Sequence, residues 1–179
     1  MEASPFFAGW RHCPECGSDR LQLNGSKASC PSCGREVYAN PAPTASALLV
    51  DDEGRVLLAR RAADPGAELW DLLGGFVDEG EEGLAALRRE LREELDVEIE
   101  PREFLGAFPD TYGDDGVYTL NLYWTARIAS GEPTLSDELE EVAWFALDAL
   151  PPREEFAFSN TVAALETWGG RVRSGRPAK

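Results

Sequence analysis

Seven acidic side chains, Asp78, Glu79, Glu81, Glu82, Glu90, Glu93 and Glu94, follow the glycine pair Gly74 and Gly75 within the stretch "GGFVDEGEEGLAALRRELREEL". Carboxylates at this density either decorate a solvated helix laced with arginine or cage a hard divalent cation such as Mg²⁺ or Mn²⁺. A second concentration of chemistry lies upstream. There "CPEC" and "CPSC", thirteen residues apart, supply Cys13, Cys16, Cys30 and Cys33.

Each CxxC turn sets two thiols on one side of a tight loop, and two such turns complete a tetrahedral S₄ site suited to Zn²⁺. Gly17 and Gly34 follow the pairs, where positive φ lets backbone amides turn toward sulfur. Four thiolates close the coordination sphere and leave no bound water to activate. This zinc is therefore read as a structural staple for a module too small to hold itself together. His12, the only histidine, is read as a neighbour of the metal and not a ligand.

The acids need a helix to position them. At about 100° per residue, Leu84, Leu87, Leu91 and Leu95 of a helix over 82–95 share one stripe that must face a core. Glu90 and Glu94 stand i, i+4 beside that stripe with Glu93 further round, while Arg88 and Arg92 take the opposite flank. Like charges so placed oppose each other by about 0.2–0.5 kcal/mol on an exposed helix, and by more at a buried edge. A divalent cation would remove the conflict. Taken by itself, the helix still reads as a solvated, salt-bridged face.

Around the helix the chain reads as strands. "TASALLV" and "RVLLARR" are joined by "DDEG", a short strand sits near "LWDLL", and "FLGAFPDTY" and "VYTLNLYWTARIA" flank "GDDG". "EEVAWFAL" is closed by "LPP". Tyr118, Leu120, Leu122, Trp124, Ala126 and Ile128 alternate with mostly polar neighbours and are expected to face the core. Ser159 or Asn160 is expected to cap a last helix that ends before Gly169 and Gly170. Strands with two interspersed helices predict an α/β (α+β) layer fold with a mixed sheet. The expected division is a ribbon over 1–40, a main domain over 41–170 and a flexible basic tail over 171–179.

The totals bound the function. A chain of 179 residues, 43% hydrophobic with Trp 5 and Phe 8, holds one ordinary domain and a small appendage. No run of about 18 apolar residues predicts a membrane span. The start lacks the pattern of a secretion signal, so a cytoplasmic location is expected. Net charge is −16, and residues 1–40 balance four acids against four bases. A nucleic-acid partner is therefore not expected, nor is a nucleic-acid-reading ribbon. A small anionic ligand reached through a cation is compatible with this charge.

The spacing of Gly75, Glu81, Arg89-Glu90-Leu91, Glu93-Glu94 and Val97 resembles the Nudix box. Asp96 stands where the family usually has glycine after the helix, a C-cap position whose left-handed conformation Asp tolerates. Leu73 stands where proline often precedes the glycines. "LLARR", "LW" and "EEVAWFAL" also look like Nudix hydrolase landmarks. The four-cysteine segment is similar to that of NADH pyrophosphatases and of plant zinc-ribbon members acting on FAD or ADP-ribose, which "FALDALPPREEFAFSN" resembles too.

The resemblance implies a mixed-sheet α/β/α sandwich with a small N-terminal zinc ribbon. It also implies Mg²⁺- or Mn²⁺-dependent hydrolysis of a nucleoside diphosphate derivative. It makes Glu90 and Glu94 direct ligands, with Gly75 offering a carbonyl. Glu93 becomes a ligand or general base, Glu81 a ligand through water, and Arg89 the group orienting the carboxylates. "DELEEVAWF" resembles a stretch that supplies a remote ligand, here Glu138, with Glu141 second. NADH pyrophosphatases carry "SQPWPFP" after the box, absent here, which leaves ADP-ribose or FAD-like dinucleotides ahead of nucleoside triphosphates. Substrate contacts are expected from Tyr112, Phe76 and Phe158 by stacking and from Arg60 and Arg61 on phosphate. Many members dimerise, and a homodimer is expected on that ground alone. The alternative is a catalytically silent Nudix-fold sensor or interaction module, disfavoured by the retained glutamates.

Overall fold

The computed structural model describes residues 2–113 and 116–175. It divides into two compact units, one formed by 1–41 with 111–118 and the other by 42–110 with 119 onward. Asp114 and Asp115 of the expected "GDDG" turn, and the last four residues of the expected tail, lie outside the described residues. No described helix is long and apolar enough to cross a membrane.

In the first unit three short antiparallel strands, β1 (Gln22–Asn24), β2 (Lys27–Ser29) and β3 (Glu36–Tyr38), form a small sheet in the order β1-β2-β3. One CxxC pair precedes β1 and the other lies between β2 and β3. Cys13 N–H bonds Ser18 O at 2.8 Å and Cys30 N–H bonds Arg35 O at 2.9 Å, which closes each knuckle. Gly17 and Gly34 take φ of +71° and +76°, the left-handed conformation that these turns require.

The second unit has two sheets. One runs β7-β4-β9-β8, with β4 (Ala42–Leu49), β7 (Leu73–Phe76), β8 (Glu98–Tyr112) and β9 (Val117–Ser130). β4 pairs antiparallel with β7 and parallel with β9, so the sheet is mixed as expected. The other runs β10-β5-β6, with β5 (Val56–Arg61), β6 (Trp70–Asp71) and β10 (Leu139–Phe145). The strands around "DDEG" thus enter different sheets and meet only at a Val50–Val56 bridge. "LWDLL" likewise gives two strands, because the chain changes sheet at Leu72.

Helix α1 (Gly83–Leu95) lies on one face, where Leu87, Leu91 and Leu95 are fully buried with Ala45, Ala47, Leu49, Leu57 and Ala59. Helix α2 (Ser159–Arg173) lies on the other, where Ala164, Leu165 and Trp168 pack with Leu48, Val56, Leu58 and Tyr123. Alternate residues of β4 and β5 therefore feed opposite cores. Asp96 ends α1 at φ 55°, ψ 39°, with its N–H on Arg92 O, the left-handed cap expected of it.

Two expectations fail here and a third holds only in part. On β9 Ala126 is buried in the α1 core and Trp124 and Ile128 pack against it as expected, but Tyr118 is exposed, and the opposite face, with Thr119, Asn121, Tyr123 and Thr125, is the more deeply buried. β9 sits inside the sheet, with both faces covered, so its polar side chains bond each other instead of water. Thr44 Oγ1 donates to Asn121 Oδ1 at 2.7 Å and Asn121 Nδ2 donates to Thr119 Oγ1 at 2.9 Å. Neither Ser159 nor Asn160 caps α2. Asp110 does so from β8, its Oδ2 accepting from Asn160 N at 2.8 Å and Ser159 Oγ at 2.9 Å. The helix also runs through Gly169 and Gly170 to Arg173, since Trp168 and Gly169 are buried and Arg171 is held to Leu105 O and Glu103.

Candidate functional site

β7 brings the glycine pair against the acidic edge of α1. Gly74 takes φ +136°, and a Cβ there would lie 2.2 Å from Ala45 O, so only glycine lets β7 approach β4 this closely. The Gly74 N–H points instead to Glu94, donating to Oε2 at 2.9 Å. A Cβ on Gly75 would lie 2.5 Å from Glu90 Cδ and 2.6 Å from both carboxylate oxygens. The backbone of this pair and the two i, i+4 carboxylates therefore share one small space.

Arg89 organises the remaining acids. Its guanidinium donates to Glu81 at 3.1 and 2.9 Å, to Glu90 Oε1 at 2.7 Å, to Glu93 Oε2 at 3.3 Å and to Phe76 O at 3.0 Å. This planar fork is beyond a lysine. The loop ahead of β10 is tied to the end of α1, with Ser136 N–H on Glu94 O at 2.9 Å and Thr134 N–H on Leu95 O at 2.8 Å. That docking carries Glu138 toward the helix, where its charge acts on both Glu90 and Glu94. Glu141 faces Arg60 instead, 3.7 Å away across β5 and β10.

The electrostatics follow from this placement. Burial pushes the Glu94 carboxyl well above the usual carboxylate range, the Gly74 N–H opposes it, and Glu90, Asp71 and Glu138 push it further. Burial raises Glu90 as well, against the pull of Arg89. Arg89 lowers Glu81 and is itself raised, first by Glu81 and then by Glu90. Largely buried acids with like-charged neighbours and a cradle of glycine backbone fit a hard cation. The donors this cradle offers are Glu90 and Glu94, and Glu138 lies close enough for its charge to act on both. Glu81, Glu90 and Glu93 converge on Arg89 and not on one another. Among the described residues, only the four thiols form a group of three or more ligand atoms within 4.8 Å.

The thiols are the tighter centre. Cys13 Sγ lies 3.7 Å from Cys33 Sγ, and Cys16 Sγ lies 3.7 Å from Cys30 Sγ. Zn–S bonds of about 2.3 Å at tetrahedral angles separate sulfurs by about 3.8 Å, so the four fit zinc. Burial raises the Cys30 thiol, but the N–H groups of Cys33 and Ser32 outweigh it and bring it to about 6, which favours a thiolate donor.

The expected substrate contacts are not gathered in one place. Arg60 lies over the Trp70 ring, 5.2 Å from its centroid. Arg61 lies 5.3 Å from the Phe158 centroid and donates from Nε to Pro65 O at 2.7 Å. Arg61 is thus tied into the fold, while Arg60 has a half-exposed side chain and a buried Nε without a hydrogen-bond partner. Phe76 is 40% exposed beside Arg89. Tyr112 is half-buried and belongs to the unit that carries the cysteines. Sequence reading missed Asp71, whose Oδ1 accepts from Thr161 Oγ1 at 2.6 Å and from Leu72 N at 2.8 Å. The available signal was a single acid inside the apolar run "LWDLL".

A mixed sheet flanked by helices on both faces, with a glycine pair pressed against a carboxylate-bearing helix, defines a Nudix-type domain. The NUDIX domain family model matches residues 40–165. A MutT NUDIX hydrolase from Burkholderia pseudomallei is 35% identical, with TM-score 0.64 over 72% of this chain and 98% of that one. A NUDIX hydrolase from Nitrosomonas europaea shares the fold, with TM-score 0.74 at 23% identity over 94% and 96% of the two chains. The NAD-capped RNA hydrolase NudC of Pseudomonas aeruginosa is 37% identical over 150 residues, 79% of this chain and 50% of that protein. The chain spans about half the length of such curated relatives. It belongs to the Nudix hydrolase family.

Proposed function

We propose that this chain hydrolyses the diphosphate linkage of a nucleoside diphosphate derivative, an ADP-ribose, FAD or NADH-like compound, and releases a mononucleotide. The carrying observation is the pair Glu90 and Glu94, largely buried side by side against the Gly74–Gly75 backbone, with the Gly74 N–H on Glu94 and the Arg89 guanidinium on Glu90. Such an arrangement costs stability and is useful only toward a cation. Glu90 and Glu94 would hold Mg²⁺ or Mn²⁺, with Glu81, Glu138 and the Gly75 carbonyl completing the set. Bound there, the cation screens the diphosphate oxygens and lowers the pKa of water.

The chain's own groups do the rest. Glu93, 59% exposed, takes the proton from the attacking water. The new P–O bond forms as the bridging P–O bond breaks, and its electron pair leaves with the departing phosphate. Arg89 keeps Glu81, Glu90 and Glu93 oriented throughout. Zinc on Cys13, Cys16, Cys30 and Cys33 staples the ribbon of residues 1–40, while the chain from 41 through the end of α2 acts as the hydrolase domain.

The curated relatives are named for an NAD-capped RNA, which supports an NAD-type diphosphate and puts an RNA 5′ end back among the substrates to test. The net charge of −16 bears on binding along an RNA backbone, not on a terminal diphosphate. The test is a panel of ADP-ribose, NADH, FAD, nucleoside triphosphates and an NAD-capped oligonucleotide with Mg²⁺ or Mn²⁺. Mononucleotide release from a dinucleotide is the expected result. Tight binding without turnover across the panel would favour the sensor instead.

A further inference from the structure

Asp71 sits at the residue before the chain changes sheet. Its side chain accepts from Leu72 N at 2.8 Å, satisfying the backbone where neither sheet does, and from the fully buried Thr161 Oγ1 at 2.6 Å. Arg61 Nη1 stands 3.5 Å from its other oxygen. Thr161 belongs to a polar cluster under the start of α2, in which Tyr123 OH meets Asn160 Oδ1 and lies 3.4 Å from Thr161 Oγ1, while Asp110 holds Asn160. Two residues beyond Leu72, the same chain delivers the Gly74 N–H to Glu94. Leu72 packs on the α2 side and Leu73 on the α1 side, so the crossover spans both cores within two residues.

We propose that Asp71 is a positioning residue for the carboxylate site. By pinning the Leu72 amide to Thr161 of α2, it fixes the height at which β7 presents Gly74 to Glu94 and Gly75 to Glu90. This rests on the reading of Glu90 and Glu94 as cation ligands, and it assigns the far helix a part in a site it does not touch. The two bonds that pin the crossover do not require the charge of Asp71, because both go to one oxygen and an asparagine carbonyl can accept from Leu72 N and Thr161 Oγ1 alike, at the loss of the ion pair with Arg61.

The experiment uses the full chain and two readouts that do not depend on turnover. Residue-resolved amide exchange follows the Gly74 N–H against the α1 amide of Leu91, and Mn²⁺ affinity is measured by electron paramagnetic resonance. Asp71→Ala is expected to speed exchange at Gly74 by about tenfold or more with Leu91 unchanged, and to weaken Mn²⁺ by about 10-fold, as loss of an outer support does. Thr161→Val, which keeps the shape of the buried site, is expected to move both in the same direction by about threefold. Asp71→Asn is expected to restore both. Unchanged Gly74 exchange and Mn²⁺ affinity in Asp71→Ala or Thr161→Val would overturn the proposal. So would a loss in Asp71→Asn as large as in Asp71→Ala, which would mean that Asp71 acts through charge. A wild-type chain that takes up no Mn²⁺ would instead sink the ligand reading itself, and is distinguished by the wild-type titration alone.

Discussion

The Gly74 N–H donates to Glu94 Oε2 at 2.9 Å, joining the backbone of the glycine strand to a carboxylate of the acidic helix. It is the one backbone donor that stabilises Glu94 in its charged form, set against burial and three like charges, Glu90, Asp71 and Glu138.

The sign of that balance gives a stability prediction. A carboxyl raised in the folded state contributes stability that is present below its unfolded pKa, near 4.3, and lost as pH rises through its folded value. At pH 7, in buffer freed of divalent cations, Glu94→Gln should therefore raise Tm while still accepting the Gly74 bond. Each kcal/mol gained appears as about 2–4 °C for a chain of this size. Added Mg²⁺ should stabilise the wild type and leave the variant unmoved, as a thermal melt with and without the ion would show.

The two glycines should fail differently when replaced by alanine. Gly74→Ala drives a methyl into the Ala45 carbonyl at a φ that L-residues avoid, so the protein should lose about 3 kcal/mol or more in denaturant unfolding. Gly75→Ala meets only the movable Glu90 carboxylate. It should keep most of its stability and lose activity by about 10-fold or more through weakened metal binding.

Arg89→Lys tests the fork. A lysine can satisfy one of Glu81, Glu90 and Glu93 at a time, so kcat should fall by about 10–100-fold with folding retained. Wild-type kinetics in this variant would reduce Arg89 to a surface ion pair, whose worth is about 0–1 kcal/mol.

Zinc should be found at one per chain by elemental analysis. Cys30→Ser, which removes the thiol that ionises at about 6, should release it and disorder the β1–β3 sheet. Full zinc retention would show that three thiolates suffice and that the site is not closed in the manner assigned.

Much of this is legible in the amino-acid sequence. Leu87, Leu91 and Leu95 announce their buried stripe because a helix repeats every 3.6 residues. The CxxC spacing announces the four-thiol cluster because two such turns bring their sulfurs together. The burial of the other face of β9 is not legible because alternation reports polarity, and polarity equals exposure only when one side of a strand meets water. Thr119 and Asn121 are buried through bonds to each other and to Thr44, and Thr125 by accepting from Glu103 N, partners that no local pattern encodes. The same limit hid Asp110 as the cap of α2 and Asp71 as the anchor of the crossover. Each acts on a residue 50 or 90 positions away.

The central claim, that α1 and the glycine pair hold a divalent cation for diphosphate hydrolysis, is tested most directly by ADP-ribose turnover against Mn²⁺ concentration. Wild type should be compared with Glu90→Gln and Glu94→Gln, each checked for folding by circular dichroism. The account predicts saturable Mn²⁺ activation in the wild type and a fall in kcat of about 10²-fold or more in each folded variant. Turnover close to wild type in the doubly substituted chain would contradict it.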